Sequence, residues 1–300
     1  MADFPAFVAA GIDTFDMGPD TCGYGPAEAV VGDYLRAAKD DTSLVFTKLC
    51  CVGAEQGAPS GEWVRGRVDR ARSRLADRPR LDRLQMFWAD YGTGQSKVND
   101  MGLYMMDERA AGRVGALGFT NFDTAHLTAL ADAGVEVAAH QIQFSLLDRR
   151  PAREQLAWCA RSGCKLLPYG VLAGGLLSDA YLGVPAEAVK LDTYSKGKYA
   201  SVLRRAGGWD WFQRLLRALR AVGDAHGGVS VSNVAARWVL EQPAVGALIL
   251  GARNAAHVGD HRALFAFSLT PQDRDAIDAV LAEGVQPRGD TYAWERGGVF

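Results

Sequence analysis

The sequence predicts an α/β fold in which parallel strands alternate with helices and close into a TIM-type (β/α)8 barrel. Strand-like and helix-like segments alternate along the 300 residues, an order that favours a parallel sheet with helices outside it. The strand-like segments are short and apolar on both faces, as the core of a barrel requires. Because barrels of this length commonly form one domain, we expect residues 1–300 to form a single barrel domain.

Seven strands are predicted, one fewer than a closed eight-stranded barrel needs. They cover residues 11–17, 43–50, 81–88, 113–122, 135–144, 164–170 and 244–252. The segment before the first strand has helical spacing, because Phe4, Phe7 and Val8 share one face of a helix. The barrel is therefore predicted to lack its first strand or to have it altered. A loop or a partner chain would have to cover the strand edge that this leaves.

Helices are predicted between and after these strands. They cover residues 26–38, 60–76, 104–112, 123–134, 151–163, 209–242, 254–266 and 271–283. Ser60 and Asp123 occupy N-cap positions, Gly112 can end its helix, and Gly227 with Gly228 breaks the long region after residue 209.

One long irregular connection is expected over residues 173–208. A connection of this length inside a compact domain is usually functional or mobile. Glycine pairs flank it at Gly174-Gly175 and Gly207-Gly208, and they can act as hinges. We therefore expect this segment to order over a bound cofactor.

Composition favours a small-molecule partner. The net charge is −2 and 23% of residues are charged, without a basic block or stripe, so a nucleic-acid partner is not expected. No apolar run approaches the ~18–20 residues of a membrane span, and the short N-terminal segment lacks the basic residue of a signal peptide. The five cysteines include the neighbours Cys50 and Cys51. This odd number suits reduced thiols in a cytoplasmic protein better than a disulfide framework.

Six segments, in order, resemble the aldo-keto reductase superfamily. They read "GIDTFDM…YGPAEAVVGDYL", "VFTK", "GALGFTNFD", "HQIQFSLLDRRP", "YGVLAGGLL" and "VSNVAARWVLEQPAVGALILGARN". The resemblance runs from about residue 9 to 290 and implies a (β/α)8 barrel that binds NADPH at the C-terminal ends of its strands. No Rossmann glycine fingerprint is present, and none is expected in such a protein.

The resemblance also implies a set of catalytic residues. In the family, hydride passes from the nicotinamide to a carbonyl carbon, and a tyrosine protonates the oxygen. A lysine lowers the pKa of that tyrosine, which would otherwise be a poor acid at ~10, and an aspartate holds the lysine. Asp16 and Lys48 match the aspartate and the lysine. Family spacing places the tyrosine at Thr21, but a three-residue insertion, which a loop can absorb, makes Tyr24 the match.

Phe87 stands where the family has a histidine that orients the carbonyl. A phenyl ring cannot donate to an oxyanion, and losing one such donor typically costs ~10²–10³ in rate. Three explanations are open. The substrate can be an imine or iminium that needs less polarisation, a hydroxyl of the substrate or of water can replace the histidine, or the protein has left redox chemistry.

The resemblance further implies cofactor contacts. Thr120, Asn121 and Gln141 match the contacts to the nicotinamide carboxamide, and Tyr169 matches the ring that stacks on the nicotinamide. The remaining matches are Gly170, Leu172 and Gly174 beside the pyrophosphate, and Gly251, Arg253, His257 and His261 near the adenosine phosphate. Arg253 suits the 2′-phosphate because its planar fork fits phosphate geometry.

His257 and His261 differ from the residues usual in the family at these positions. Their i, i+4 spacing could offer two nitrogens to zinc, but the segment has no third ligand. No metal site is predicted.

The leading hypothesis is an NADPH-dependent oxidoreductase that reduces a C=O or C=N bond of a small molecule from specialised metabolism. One alternative is a non-redox enzyme, for cyclisation or dehydration, on the same barrel. Another is a catalytically silent, cofactor-sensing subunit. Retained Asp16 and Lys48 favour the first over the last, whereas Phe87, Thr21 and the missing strand favour the non-redox enzyme. The predicted partners are a small-molecule substrate and, as an open alternative, further copies of the chain in a homo-oligomer.

Overall fold

The strands of the sheet pair in the order in which they occur in the chain, β1-β2-β3-β4-β5-β6. Their bounds are β1 Thr14–Asp16, β2 Leu44–Cys51, β3 Leu81–Trp88, β4 Val114–Thr120, β5 Ala139–Gln143 and β6 Lys165–Tyr169. The pairings from β1–β2 to β4–β5 are all parallel. This confirms the predicted α/β class, and the six parallel strands are consistent with a (β/α)8 barrel.

The computed structural model describes residues 2–298 and residue 300. By their contacts they divide into two units, residues 1–141 with 162–165 and residues 142–161 with 166–300. The first unit contains β1 to β4, the first three residues of β5 and the helices between these strands. The second contains most of β6 and the helices that follow it. A single barrel domain over the whole chain stays a prediction.

Helices follow the strands largely as predicted. Their bounds are α1 Phe4–Ala9, α2 Ala27–Ala38, α3 Ala54–Gly57, α4 Gly61–Arg74, α5 Gln95–Ala110, α6 Thr124–Asp132, α7 Gln155–Ser162, α8 Tyr194–Ala206, α9 Gly208–Ala225, α10 Val231–Leu240, α11 Val258–Ala263 and α12 Pro271–Ala282. Ser60 and Asp123 cap α4 and α6 by accepting backbone N–H bonds. Among the described residues, no helix has both the length and the apolar composition needed to cross a bilayer.

The N-terminal segment is helical, as its apolar spacing predicts. In α1, the ring of Phe4 stacks on Tyr34 with ring centroids 4.9 Å apart and meets Phe15 edge-on at 5.2 Å. Within described residues 2–13 no strand precedes β1. β1 therefore pairs with β2 alone in the first unit, and it is shorter than the predicted strand over 11–17.

Residues 173–208 are not the irregular connection that the sequence predicts, because α8 occupies 194–206. The Thr193 side chain caps this helix by accepting a hydrogen bond from the backbone N–H of Lys196. Its buried side chains recur at helical spacing, at Tyr199, Val202, Leu203 and Ala206. The helical signal was therefore present in the sequence. That this segment orders over a cofactor stays a prediction.

The seventh predicted strand, 244–252, is not a strand in the structure. It makes an isolated parallel bridge between Val245 and Leu166 of β6. The Ile249 N–H also donates to Pro168 O at 2.8 Å. Ala244 has a φ of +63°, a left-handed conformation that does not fit a strand. The segment therefore lies along β6 without forming a continuous ladder.

Within the first unit, strand register brings selected side chains to one face. Lys48 lies opposite Gln85, and Cys50 lies opposite Phe87. Phe87 in turn lies opposite Thr120. Because residues in register on parallel strands point to the same face, these side chains form two adjacent rows on that face. The row of Phe87 is one step closer to the C-terminal ends of the strands.

His140 on β5 is fully buried and holds the chain that follows β4. Its Nε2 accepts a hydrogen bond of 3.1 Å from the backbone N–H of Phe122. Burial lowers the pKa of His140 to about 3. Between pH 6.5 and about 3 the unfolded chain therefore binds a proton that the folded chain excludes, so this group removes stability as the pH falls.

We expect His140→Gln to flatten the acid limb of the stability profile, because a glutamine oxygen can accept from Phe122 without titrating. Below pH 6.5 the wild type should lose up to about 1.4 kcal/mol more per pH unit than the variant. Urea unfolding between pH 7.5 and 4.5 measures this slope, and His257→Gln, at an exposed histidine, is the control. Equal slopes in the wild type and His140→Gln would contradict the prediction.

Candidate active site

The structure brings together Asp16, the last residue of β1, and Lys48, which lies inside β2 and not at its end as predicted. Lys48 Nζ donates to Asp16 Oδ1 at 2.7 Å and to the carbonyl oxygen of Met17 at 2.8 Å. The side chains of Lys48 and Asp16 are 2% and 11% exposed. A buried charge must be both paired and hydrogen-bonded to be tolerated, and this pair meets both conditions.

Gln85 completes the surroundings of Asp16, and the sequence analysis did not single it out. Asp16 Oδ2 accepts from Gln85 Nε2 at 2.7 Å and from Gln141 Nε2 at 2.8 Å. Gln141 Nε2 also donates to Gln85 Oε1 at 3.0 Å. Its place in the site could have been predicted from the sequence, because Gln85 lies two residues before Phe87 and alternate residues of a strand share a face.

Tyr24 lies beside Lys48, and its assignment as the family tyrosine stays a prediction. Lys48 Nζ is 4.5 Å from the centroid of the Tyr24 ring, a distance at which a cation is attracted to the ring face. The ring also covers Gly18, where a Cβ would come 2.9 Å from a ring carbon. Tyr24 is 44% exposed, so solvent and a small molecule can reach it. Lys48 donates one hydrogen bond to Asp16 and one to Met17, and it contacts Tyr24 through the face of the ring.

Two of the five cysteines form a disulfide, so the expectation of reduced thiols throughout is wrong. The bond joins Cys22, in the loop after β1, to Cys50 on β2, with the two Cα atoms 5.8 Å apart. Cys51, Cys159 and Cys164 are buried and are not part of a disulfide. Sequence spacing could not show this pairing, because it depends on where the inserted loop folds over the sheet.

Phe87 lies on the same face as Lys48 and Gln85, one row nearer the ends of the strands. Its ring is half-buried. The position that the family resemblance gives to a histidine is therefore on the expected face but holds an apolar ring. Arg83, two residues before Gln85, lies below with its guanidinium 4.3 Å from the centroid of the Phe46 ring, and burial lowers the pKa of Arg83.

The predicted carboxamide contacts lie together at the ends of β4 and β5. Thr120 is in register with Gln141, and Asn121 follows in a left-handed conformation at a φ of +61°. The Thr120 hydroxyl is buried without a hydrogen-bond partner. Both hydrogen bonds given above for Gln141 use its amide nitrogen, which leaves its oxygen to accept. A donor hydroxyl beside an accepting amide oxygen matches a carboxamide, so these residues fit a nicotinamide.

The second unit holds the predicted stacking ring and the glycine loop after it. Tyr169 ends β6, and Lys198 Nζ of α8 lies 5.4 Å from its ring centroid. Gly170 has a φ of +67°, and a Cβ there would overlap the hydroxyl of Tyr199. Gly174 is also left-handed, while Leu172 is half-buried ahead of it. Lys198, which the sequence analysis did not single out, places a cation beside the ring expected to stack on the nicotinamide.

The predicted adenosine-phosphate residues lie on a largely exposed segment of the second unit. Gly251, Arg253 and His257 are exposed, and His261 is half-buried. The rings of His257 and His261 are 6.2 Å apart, and burial lowers the pKa of His261. Over the described residues no group of three or more His, Cys, Asp or Glu side chains could hold a metal ion.

Comparison with known proteins decides the family. The sequence profile described as "Aldo/keto reductase family" matches residues 2–282. The chain belongs to the aldo/keto reductase family. This confirms the resemblance inferred from the six motifs and accounts for the order of strands and helices.

Individual aldo/keto reductases and relatives are distant. The chain is 31% identical over 180 residues to flagellar radial spoke protein 5 of Chlamydomonas reinhardtii, covering 54% of this chain but only 33% of that protein. It is 22% identical over 286 residues to the NADH-specific methylglyoxal reductase of Escherichia coli K12, covering 88% and 81% of the two chains. The fold is similar to the glycerol dehydrogenase AKR11B4 of Gluconobacter oxydans, with a TM-score of 0.79, 24% identity and coverage of 96% and 86%.

Gly170→Ala should destabilise the aldo/keto reductase fold through two separable effects. The positive φ costs about 1–2 kcal/mol for an alanine, and overlap with the Tyr199 hydroxyl adds about 1–3 kcal/mol. Gly183→Ala is the matched control, because Gly183 has a φ of +75° with no atom within 4 Å of its Cβ position. Urea unfolding should therefore show a larger loss at Gly170.

Removing the Tyr199 hydroxyl should recover part of that loss. We expect the double variant Gly170→Ala/Tyr199→Phe to lose less free energy of unfolding than the sum of the losses in the two single variants. The effects of substituting two residues in contact are not additive. Equal losses at Gly170 and Gly183, without coupling to Tyr199, would show that no close approach exists at Gly170.

Proposed function

We propose that the protein is an NADPH-dependent oxidoreductase that transfers a hydride to a C=O or C=N bond of a small molecule, within specialised metabolism. The observation that carries this proposal is the buried Lys48, which is held by Asp16 and the Met17 carbonyl while its ammonium contacts Tyr24. A purely structural ion pair would not require an accessible tyrosine next to it.

The proposed mechanism assigns one task to each of these residues. When bound, the nicotinamide supplies the hydride. Tyr24 gives its phenolic proton to the oxygen of a carbonyl or to the nitrogen of a neutral imine, and Lys48 stabilises the phenolate that remains. Asp16 balances the charge of Lys48 and fixes its position. Thr120, Asn121 and Gln141 orient the carboxamide.

The preference for NADPH rests on Arg253. This exposed side chain can direct its planar fork at a 2′-phosphate. The relative from Escherichia coli is by name NADH-specific, so the two cofactors should be compared directly. Tighter binding of NADPH that is lost in Arg253→Ala supports the proposal, and equal binding of NADPH and NADH contradicts it.

Phe87 supports an activated substrate over a simple aldehyde. Hydride transfer to a neutral carbonyl builds negative charge on oxygen, and Phe87 offers no hydrogen bond to it. A neutral imine that takes the proton of Tyr24 becomes a cationic iminium, so hydride transfer to it needs no second donor at the position of Phe87. We therefore propose a C=N bond, or a carbonyl that carries its own donor, as the native acceptor.

A second candidate is a cofactor-binding subunit without turnover. The observation that favours it is the identity of 31% to a flagellar radial spoke protein, whose name denotes a component of an assembly. Binding of NADPH without reduction of any carbonyl or imine would favour this candidate over an enzyme.

We expect Lys48→Met to lower kcat by about 10²–10⁴-fold, the usual contribution of a positioned acid–base group. Binding of NADPH, followed by its fluorescence, should remain, because Lys48 is not among the proposed cofactor contacts. Lys165→Met, at an exposed lysine at the start of β6, is the control and should keep full activity. Near-normal turnover in a folded Lys48→Met would place the site elsewhere.

Phe87→His should raise kcat/KM for simple aldehydes about tenfold. A fully positioned donor would give ~10²–10³-fold, but an unprepared pocket will not hold the imidazole at the right angle. Phe87→Leu changes the shape of the pocket without adding a donor and should bring no gain. The measurement is kcat/KM for aldehydes and cyclic imines with NADPH saturating. Ordinary aldehyde rates in the wild type, unchanged in Phe87→His, would show that Phe87 does not face the reacting atom.

A further inference from the structure

The disulfide between Cys22 and Cys50 lies next to both residues of the proposed proton-donor pair. Cys22 is two residues before Tyr24, and Cys50 is two residues after Lys48 on β2. We propose that Cys22 and Cys50 are a redox modification site that holds Tyr24 over Lys48 when oxidised and releases it when reduced. This inference rests on the proposed function, in which Tyr24 is the proton donor.

The loop that carries Tyr24 has few other ties to the sheet. A short 3-10 turn, Asp20–Cys22, has no buried residue. The backbone hydrogen bonds of Cys22 and Gly23 go to Pro19 and Asp20, within the loop itself. Asp20 also pairs with Arg74 at 3.5 Å, but such an exposed pair contributes little. The disulfide is therefore the strong connection between this loop and β2.

Accessibility separates these two cysteines from the others. Cys22 and Cys50 are half-buried, whereas Cys51, Cys159 and Cys164 are buried. Thiol–disulfide exchange requires access of the attacking thiolate to a sulfur. A small dithiol can therefore reach the Cys22–Cys50 disulfide, while the three buried cysteines stay out of reach in the folded protein.

The exchange is balanced with a dithiol as the reductant. A thiolate of the dithiol attacks one sulfur of the Cys22–Cys50 bond, which breaks and gives a mixed disulfide. The second thiol of the reductant then displaces the protein sulfur. Cys22 and Cys50 together gain two electrons and two protons, and the dithiol becomes a cyclic disulfide. Disulfides in reducing compartments are usually transient or sensing, which suits a switch.

Reduction should affect the chemical step more than cofactor binding. Once the bond is broken, the loop gains conformational freedom and Tyr24 spends less time over Lys48. Misplacement of a catalytic group by about 1 Å can cost 10²-fold in rate, so we expect kcat to fall by about 10- to 100-fold on reduction. Thr120 and Gln141 lie on strands away from the loop, so the KM for the cofactor should change little.

The test compares the whole chain after incubation with oxidised glutathione and after incubation with dithiothreitol. Alkylation in denaturant should label three cysteines in the oxidised protein and five in the reduced protein, since the chain has five cysteines of which three are free. Hydrogen exchange of residues 18–25 should speed up on reduction. Cys50→Ala should behave like the reduced wild type in both conditions, whereas the matched control Cys51→Ala should still respond to dithiothreitol.

The outcomes separate this inference from the proposed function. Labelling of all five cysteines after oxidation would overturn the redox site. Formation of the bond with equal turnover in both states would also overturn it, while leaving the oxidoreductase intact. A reversible change in exchange at 18–25, without turnover in either state, would support the redox site and overturn the proposed function. A reversible loss of kcat, abolished in Cys50→Ala and kept in Cys51→Ala, is the expected result.

Discussion

The buried carboxylate of Asp16 is the interaction on which the arrangement of the first unit depends. Its two oxygens accept from Lys48, Gln85 and Gln141, at distances of 2.7, 2.7 and 2.8 Å. A buried charge costs several kcal/mol unless its partners are placed accurately, so side chains from β1, β2, β3 and β5 must meet at one point. Lys48 is thereby fixed, and it also donates to the carbonyl oxygen of Met17 and contacts the ring of Tyr24.

One row above Lys48 and Gln85, the chemistry of the face changes. Cys50, Phe87 and Thr120 lie in register there, and they offer a sulfur, an apolar ring and a hydroxyl. The polar network beneath contains the Lys48–Asp16 pair proposed to serve proton transfer, whereas Phe87, where the family has a histidine, offers no hydrogen bond to a substrate. We infer that the protein has the proton-donor pair of its family but reduces a different bond. A positively charged acceptor depends least on polarisation by the protein.

The second unit has a different central contact, a buried arginine that ties the C-terminal segment to the chain after β5. Arg150 bonds both Asp148 and Glu295, and these hydrogen bonds raise the pKa of Arg150 despite its burial. The pKa of Glu295 is lowered in turn by its hydrogen bond to Arg150, against the opposing effect of its own burial. Glu295 lies beyond the part of the chain matched by the family profile, which ends at residue 282, whereas Arg150 and Asp148 lie within it.

The sequence by itself determined the alternation of strands and helices, the capped starts of α4 and α6, and the placing of Asp16 at the end of one strand with Lys48 on the next. These follow from local spacing, since apolar periodicity and capping residues act over a few positions. Only the tertiary structure decided the Cys22–Cys50 bond, the part played by Gln85 and the loss of strand geometry at Ala244. Cys22 and Cys50 are 28 positions apart and Gln141 is 125 from Asp16. Which distant groups meet is set by register and loop path, and local periodicity carries no information about either.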